Sequence, residues 1–314
     1  MNDDFVYQIF AHNRLLEVLF RKTVNHCAPI KKITTKIFDE DKHKNAKKQV
    51  IPGQWEKFQE CIEHQCNVTK GDYVLIHSSM QGLKTLGVSP NTLIDYFLEL
   101  LGSEGTLVFP TYPDLKRMEK KDGAYIYDPK RTSPWTGALP RAFISYPNAV
   151  RSKFPHNTLC AIGKEAVSMM QQDLTHGPYS QGKGSSWDYG IQHGMKILYL
   201  GVPAPTSCTV VHYAEDFLAE AWPVTDWYEE HSYWVQDKDT VIPFTTKERK
   251  QKWFDYYSMF WTGERLRKMG YLKEYDVDGV YVGIMDQIQP MSEYLITQAQ
   301  KGKLLFKIPK RDMK

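Results

Sequence analysis

Apolar positions along the chain fall into two rhythms. Residues 1 to about 30 place Phe5, Ile9, Phe10, Leu15, Leu16, Val18, Leu19 and Phe20 at helical spacing, which predicts a helix broken near His12-Asn13. Residues 31–50 are dense in lysine and poor in large apolar groups, as in a surface linker. A helix is expected over 54–66. Next comes a β-branched and aromatic run, Tyr73–His77, and Ser89-Pro90 starts a helix that ends at Gly102. Thr106–Pro110 is the next strand. Strand, helix and strand within some forty residues give a βαβ unit and a parallel pairing.

Residues 112–136 suggest a long irregular excursion. Short helices are expected over 137–146, 164–171 and 187–192, a polar turn over 150–156, and strands over 159–162 and 197–200. Beyond Glu220 the texture becomes aromatic and β-rich. A hairpin turns at Asp237-Lys238-Asp239, and a helix is expected over 248–269. A strand pair follows around Asp278-Gly279, then a helix over 291–301 and a closing strand at 304–306. The fold class is therefore α/β: a mixed, largely parallel central sheet flanked by helices, with an antiparallel β subregion. The chain divides into an N-terminal helical and basic extension, 1–52, and a main domain, 53–314. The amphipathic extension is expected to pack on a neighbouring subunit in a homo-oligomer.

Composition narrows the function. The chain has 314 residues, 42% hydrophobic and 25% charged, with a net charge of +3. That small excess disfavours a nucleic-acid partner. No apolar run approaches the roughly eighteen residues of a membrane span, and the acidic start does not resemble a secretory leader. Five scattered cysteines without a C-x-x-C predict reduced thiols and a cytoplasmic protein. Neither G-x-x-x-x-G-K-[ST] nor G-x-G-x-x-G occurs.

The richest stretch is Gly194–Glu220. A buried strand, Ile197–Leu200, turns through Gly201, Pro203 and Pro205 into a helical pattern carrying Thr209, His212 and Glu215. His212 and Glu215 are three apart and share a helix face. A histidine at a strand's carboxyl end, oriented by a carboxylate, suits a general base. The same spacing also suits an ordinary solvated pair. It equally suits two ligands of a metal hydrolase with His156, His176 or His193, although none of these has a ligand spacing. Thr209 fits a helix cap as well as a catalytic donor. His77 fits a satisfied interior histidine, and the Ser78-Ser79 and Ser185-Ser186 loops fit plain caps or anion cradles.

Several segments in order then carry a resemblance: His77-Ser78-Ser79 after a strand, Pro110-Thr111 after the next, Gly137–Pro140, Arg151-Ser152 with Pro155, Ala161–Gly163, Gly184-Ser185, Leu198–Val202 and Thr209-x-x-His212-x-x-Glu215. The chain over roughly 55–300 resembles the aminoglycoside 3-N-acetyltransferase family, whose antibiotic N-acetyltransferase fold is distinct from the GNAT fold. The resemblance implies transfer of an acyl group from acetyl-CoA or another acyl-CoA to a sugar amine, with no metal. It implies His212 as base, Glu215 as its partner and Thr209 beside the thioester. It implies cofactor contacts at His77, Ser78, Ser79, Thr111 and Ser185. Phe154 stands where the family usually has a histidine before proline, and Arg141 where an acidic residue often follows. The aromatic, weakly acidic 222–257 region favours a small amino-sugar acceptor, free or nucleotide-linked, over a polycationic antibiotic. A family member reduced to binding CoA or sugar is the competing class.

Overall fold

The computed structural model describes residues 3–32, 34 and 49–314; most of the lysine-rich 31–50 stretch lies outside them. In chain order the described elements are α1 Asp3–His12, α2 Arg14–His26, α3 Gln54–Glu60, β1 Tyr73–Ser78, α4 Pro90–Leu101, β2 Thr106–Pro110, β3 Lys120–Lys121 and β4 Ala124–Tyr127. They continue with α5 Ala138–Phe143, β5 Val150–Arg151, β6 Leu159–Gly163, α6 Ala166–Met169, α7 Ser186–Gln192, β7 Lys196–Leu200, α8 Ala204–Ser207 and α9 Tyr213–Leu218. The last are β8 Tyr228–Asp237, β9 Thr240–Arg249, α10 Met259–Lys268, β10 Lys273–Val277, β11 Val280–Met285 and α11 Ile288–Gln300.

Seven strands form the central sheet in the order β10-β11-β7-β1-β2-β6-β5. The parallel pairings, β7 with β1 and β1 with β2, are at its centre, and antiparallel strands flank them on both sides. The central strands are apolar on both faces because both faces are covered. Val74, Ile76, Leu107, Phe109, Leu198 and Leu200 pack under α3, α4 and α5. Tyr73, Leu75, Val108, Ile197 and Tyr199 face the opposite layer, which holds α7, α9, α11 and the indoles of Trp187, Trp222, Trp227 and Trp253. The Ser89 hydroxyl caps α4 by accepting from Thr92 N at 3.0 Å, with Pro90 in the first turn, as the sequence signal required. A second sheet, β3-β4-β8-β9, is built on the ten-residue β8–β9 ladder.

Several expectations change. The 112–136 excursion contains β3 and β4, and β4 joins β8 in parallel. Its return is locked by Arg151, which is buried rather than part of a polar turn. Arg151 Nε donates to Thr111 Oγ1 at 3.1 Å, and its Nη atoms donate to the carbonyls of Thr111 and Thr132. Phe154 is also buried, against Phe244 and His176, so it anchors the second sheet. The helix expected over 248–269 starts only at Met259. Glu248 and Arg249 belong to β9, because the β8 ladder extends to Tyr228 opposite Arg249 and its hydrogen bonds override local helix preference. Residues 304–306 make only a bridge from Tyr257 to Phe306, not a strand. The helix expected over 164–171 shortens to α6.

The N-terminal helices break at Asn13, whose side chain caps α2. One face of them packs on α10 of the same chain. The buried Glu17 carboxylate accepts from Phe260 N at 3.0 Å and Trp261 N at 3.2 Å, amides in the first turn of α10. Ser258 makes no side-chain cap there, so α2 supplies the cap from 243 residues away. Glu17→Ala is expected to cost about 1–3 kcal/mol by orphaning those amides. Proteolysis between α2 and the main domain, together with the urea midpoint, measures it.

Candidate active site

β1, β2 and β7 all end at one edge of the sheet, where α/β folds place ligands. The loop after β1 and the turn after β7 meet backbone to backbone. A Cβ on Gly82 would lie 1.9 Å from the Gly201 carbonyl oxygen, and Gly201 itself has φ +65°, a region that favours glycine. This contact fixes the chain as it leaves β7. Residues Thr209–His212 then form a 3₁₀ turn that feeds directly into α9. The helical pattern expected from Ser207 or Cys208 is thus split in two, and Thr209 is not an α-helix cap.

The turn brings His212 and Glu215 together: Nδ1 lies 2.6 Å from Glu215 Oε1. Glu215 is buried. Its Oε2 accepts from Trp227 Nε1 at 3.1 Å and from Arg249 Nη1 at 2.9 Å. Arg249 Nη1 also lies 2.9 Å from His212 Nδ1. Guanidinium has no acceptor, so Nδ1 cannot give its proton to Arg249, and it cannot both hold that proton and accept from Nη1. The shorter contact is to a carboxylate, which places the proton on Nδ1, donated to Glu215. Nε2 is then the free lone pair. It has no hydrogen bond among the described residues, and the side chain keeps 18% exposure.

Electrostatics keep this imidazole neutral. Burial, and then the Arg249 charge, hold His212 below the ordinary 6.5, with Glu215 pulling partly the other way. Burial alone would raise Glu215, but Arg249 and His212 outweigh it and hold the carboxyl below 4.5. Tyr257 and Phe306 stand 5.1 and 5.9 Å from the imidazole, ring centre to ring centre. Arg249 lies over Phe254 and Phe306. Arg249 went unrecognised in the sequence. Counting the hairpin register outward from Asp237-Lys238-Asp239 would have placed it opposite Tyr228, close to Trp227.

The other candidate residues separate into two groups. His77 stacks on Tyr199, its partner across the β1–β7 pairing, at 5.2 Å. Burial pushes it down to about 3, so it is neutral, and among the described residues neither its buried Nε2 nor the buried Ser78 Oγ has a hydrogen-bond partner. Tyr199 donates to Cys208, next to Thr209, and Thr209 lies against the Tyr112 hydroxyl. His77 and Thr209 are thus linked through Tyr199 and Cys208, in the layer that also holds Tyr257 and Phe306 beside His212. Ser79, Thr111 and Ser185 are already engaged. Ser79 Oγ accepts from Gly82 N, Thr111 Oγ1 is bound by Arg151 and Thr158, and Ser185 Oγ caps α7.

Beside Glu215, Asp216 is half-buried and accepts from Ser180, Gln181 N and Tyr228. Burial and the Glu215 charge push it up to about 6. Glu248 bonds Tyr233 and Thr246 and lies 3.1 Å from His156. By contrast Asp226 is exposed and paired with Lys250 and Lys252. Among the described residues no three His, Cys, Asp or Glu side chains converge as a metal-binding group, and no helix is long and apolar enough to cross a membrane.

Residues 75–289 match the sequence model of the aminoglycoside 3-N-acetyltransferase family. Aminoglycoside N(3)-acetyltransferase IX of Micromonospora chalcea is 29% identical over 164 residues, 46% of this chain and 56% of that protein. The match spans little more than half the length of that relative. Among solved structures, aminoglycoside acetyltransferase AAC(3)-Xa aligns with a TM-score of 0.66 at 19% identity, over 86% of this chain and 99% of that one. AAC-IIIb, solved as a binary complex with CoASH, aligns with a TM-score of 0.62 at 18% identity, over 79% and 96%. These likenesses establish the fold.

Proposed function

From the premise that this chain belongs to the aminoglycoside 3-N-acetyltransferase family, we propose that it is an acyl-CoA-dependent N-acyltransferase acting on a primary amine of an amino sugar. The observation that carries this is the neutral His212, held by Glu215 with Nε2 free at the ligand edge of the sheet. An ammonium must lose a proton before it attacks, so the acceptor reacts as the free amine. As its nitrogen bonds to the thioester carbonyl carbon, Nε2 takes one of its protons. The C–S bond then breaks, and His212 returns that proton to the departing thiolate, giving amide and thiol. Glu215 and Arg249 hold the ring in one tautomer and balance its transient charge.

Acetyl-CoA fits the orphaned polar atoms. His77 Nε2 and Ser78 Oγ are assigned to the pantetheine arm or the thioester end of the co-substrate, where an incoming group would relieve their desolvation. Thr209 is assigned to the thioester oxygen. The Asp216 carboxyl is assigned to the acceptor's ammonium groups. One half-buried carboxylate with neutralised neighbours suits an acceptor with few amines, in line with an amino sugar, free or nucleotide-linked. Five free cysteines support the reading of a cytoplasmic site of action.

The test is thiol release from acetyl-CoA against free amino sugars, nucleotide-linked amino sugars and aminoglycosides. Turnover is expected with at least one class. Binding of acetyl-CoA without thiol release for any acceptor would instead establish a non-catalytic binder. Asp216→Asn is expected to raise the acceptor KM about tenfold, worth about 1.4 kcal/mol, with kcat nearly unchanged.

A further inference from the structure

A cavity of about 410 Å³ lies between α2, α10, α11 and the C-terminal segment. Five cationic side chains line it: Arg14, Arg265, Lys303, Lys307 and Lys310. No carboxylate is among its lining residues. None of the five forms an ion pair among the described residues. Glu17, the acid nearest Arg14, is committed to Arg21 and the α10 amides.

The two arginines are partly buried and held in place. Arg14 Nε donates to Ser258 Oγ at 2.9 Å and Nη2 to the Leu304 carbonyl at 2.7 Å, leaving Nη1 without a hydrogen bond among the described residues. Arg265 Nη2 donates to the Tyr294 hydroxyl, leaving Nε and Nη1 unpaired among the described residues. Both guanidinium groups lie against Trp261, at 4.5 and 5.3 Å from its ring centre. Burial brings Arg14 down to about 10, with Glu17 pulling it up and Arg265 pushing it down, so an anion beside it would replace the solvation that its charge has lost. The three lysines are exposed at the rim. Fixed arginine forks with mobile lysines around them match the oxygens of phosphate groups. Five charges exceed what one phosphate would neutralise.

Phe306 lines this cavity and also stands 5.9 Å from the His212 ring. The cavity and the base therefore share a wall, and a molecule bound by its phosphates here has its other end near the site of transfer. We propose that this cavity binds the oligophosphate portion of a reactant, a group of at least two phosphates. Two reactants carry that chemistry: the nucleotide end of acyl-CoA, which rests on the transferase reading, and a nucleoside diphosphate on the acceptor sugar.

The experiment is calorimetric titration of the full chain with inorganic pyrophosphate, adenosine 3′,5′-bisphosphate and uridine diphosphate. The wild type is compared with Lys303→Gln/Lys307→Gln and with Arg265→Gln. Pyrophosphate is expected to bind, to weaken as salt is raised, and to lose at least about tenfold in affinity in the double lysine variant, a loss of about 1.4 kcal/mol. Those lysines are exposed, so circular dichroism is expected to stay unchanged. Stronger binding of the adenosine compound, with competition by CoA, assigns the cavity to the donor. Stronger binding of uridine diphosphate without that competition assigns it to the acceptor. No binding of any of the three at millimolar concentration overturns the proposal, as does binding that both variants leave intact. Thiol release is read separately, so loss of the pocket and loss of the transferase reading are distinguishable.

Discussion

His212→Ala is expected to lower kcat with acetyl-CoA and the best acceptor by about 10²–10⁴-fold, the range of a positioned general base. Acetyl-CoA affinity, measured by calorimetry, is expected to remain near that of the wild type, because the ring's proposed role lies in proton transfer. Unchanged turnover would remove His212 from the mechanism. In the wild type, the His212 limb of the kcat/KM profile is expected below pH 6.5. Burial and Arg249 keep the imidazole neutral to lower pH than an ordinary histidine. That limb reports the protonation of Nε2, apart from the acceptor's own ionisation.

Glu215→Ala is the larger structural insult. It leaves the Arg249 guanidinium buried without a counter-charge and orphans the Trp227 indole N–H. Breaking one side of such a buried pair costs about 3–5 kcal/mol. In the wild type the stabilisation that Glu215 provides is present above pH 4.5 and is lost as pH falls through its lower folded value. Conservative variants separate fold from mechanism. Glu215→Gln removes the charge that raises His212, so the acid limb moves to lower pH. Arg249→Gln removes a charge that lowers it, so the limb moves to higher pH. The acceptor's own ionisation is common to both variants, so opposite displacements report on His212 alone. Displacement in the same direction would contradict the arrangement.

What the sequence carried was local. The β1, β2, β6 and β7 runs were legible because strands covered on both faces are continuously apolar. The α4 start and the Asp237–Asp239 turn were legible because caps and tight turns are written in adjacent residues. His212 and Glu215 were legible as a pair because three residues span most of one helical turn. The remainder depends on distant partners. Arg249 lies 34 residues beyond Glu215, inside a charged stretch with helical texture, and only the β8 register delivers it. Glu17 caps a helix 243 residues away. Arg151 looked like a turn residue until the return of the 112–136 segment provided carbonyls for it to bind. The assigned cofactor serines show the reverse limit. Ser78 and Ser79 are adjacent in sequence, yet one hydroxyl is orphaned and the other is bound to Gly82 N.

The state of one ring decides the account. Nitrogen-15 NMR of His212 at pH 7, assigned by comparison with His212→Ala, reports which nitrogen carries the proton. The expected result is a neutral imidazole protonated on Nδ1, with a bare Nε2. A neutral ring protonated on Nε2, or an imidazolium at that pH, would leave no lone pair on Nε2 to receive the acceptor's proton and would contradict it.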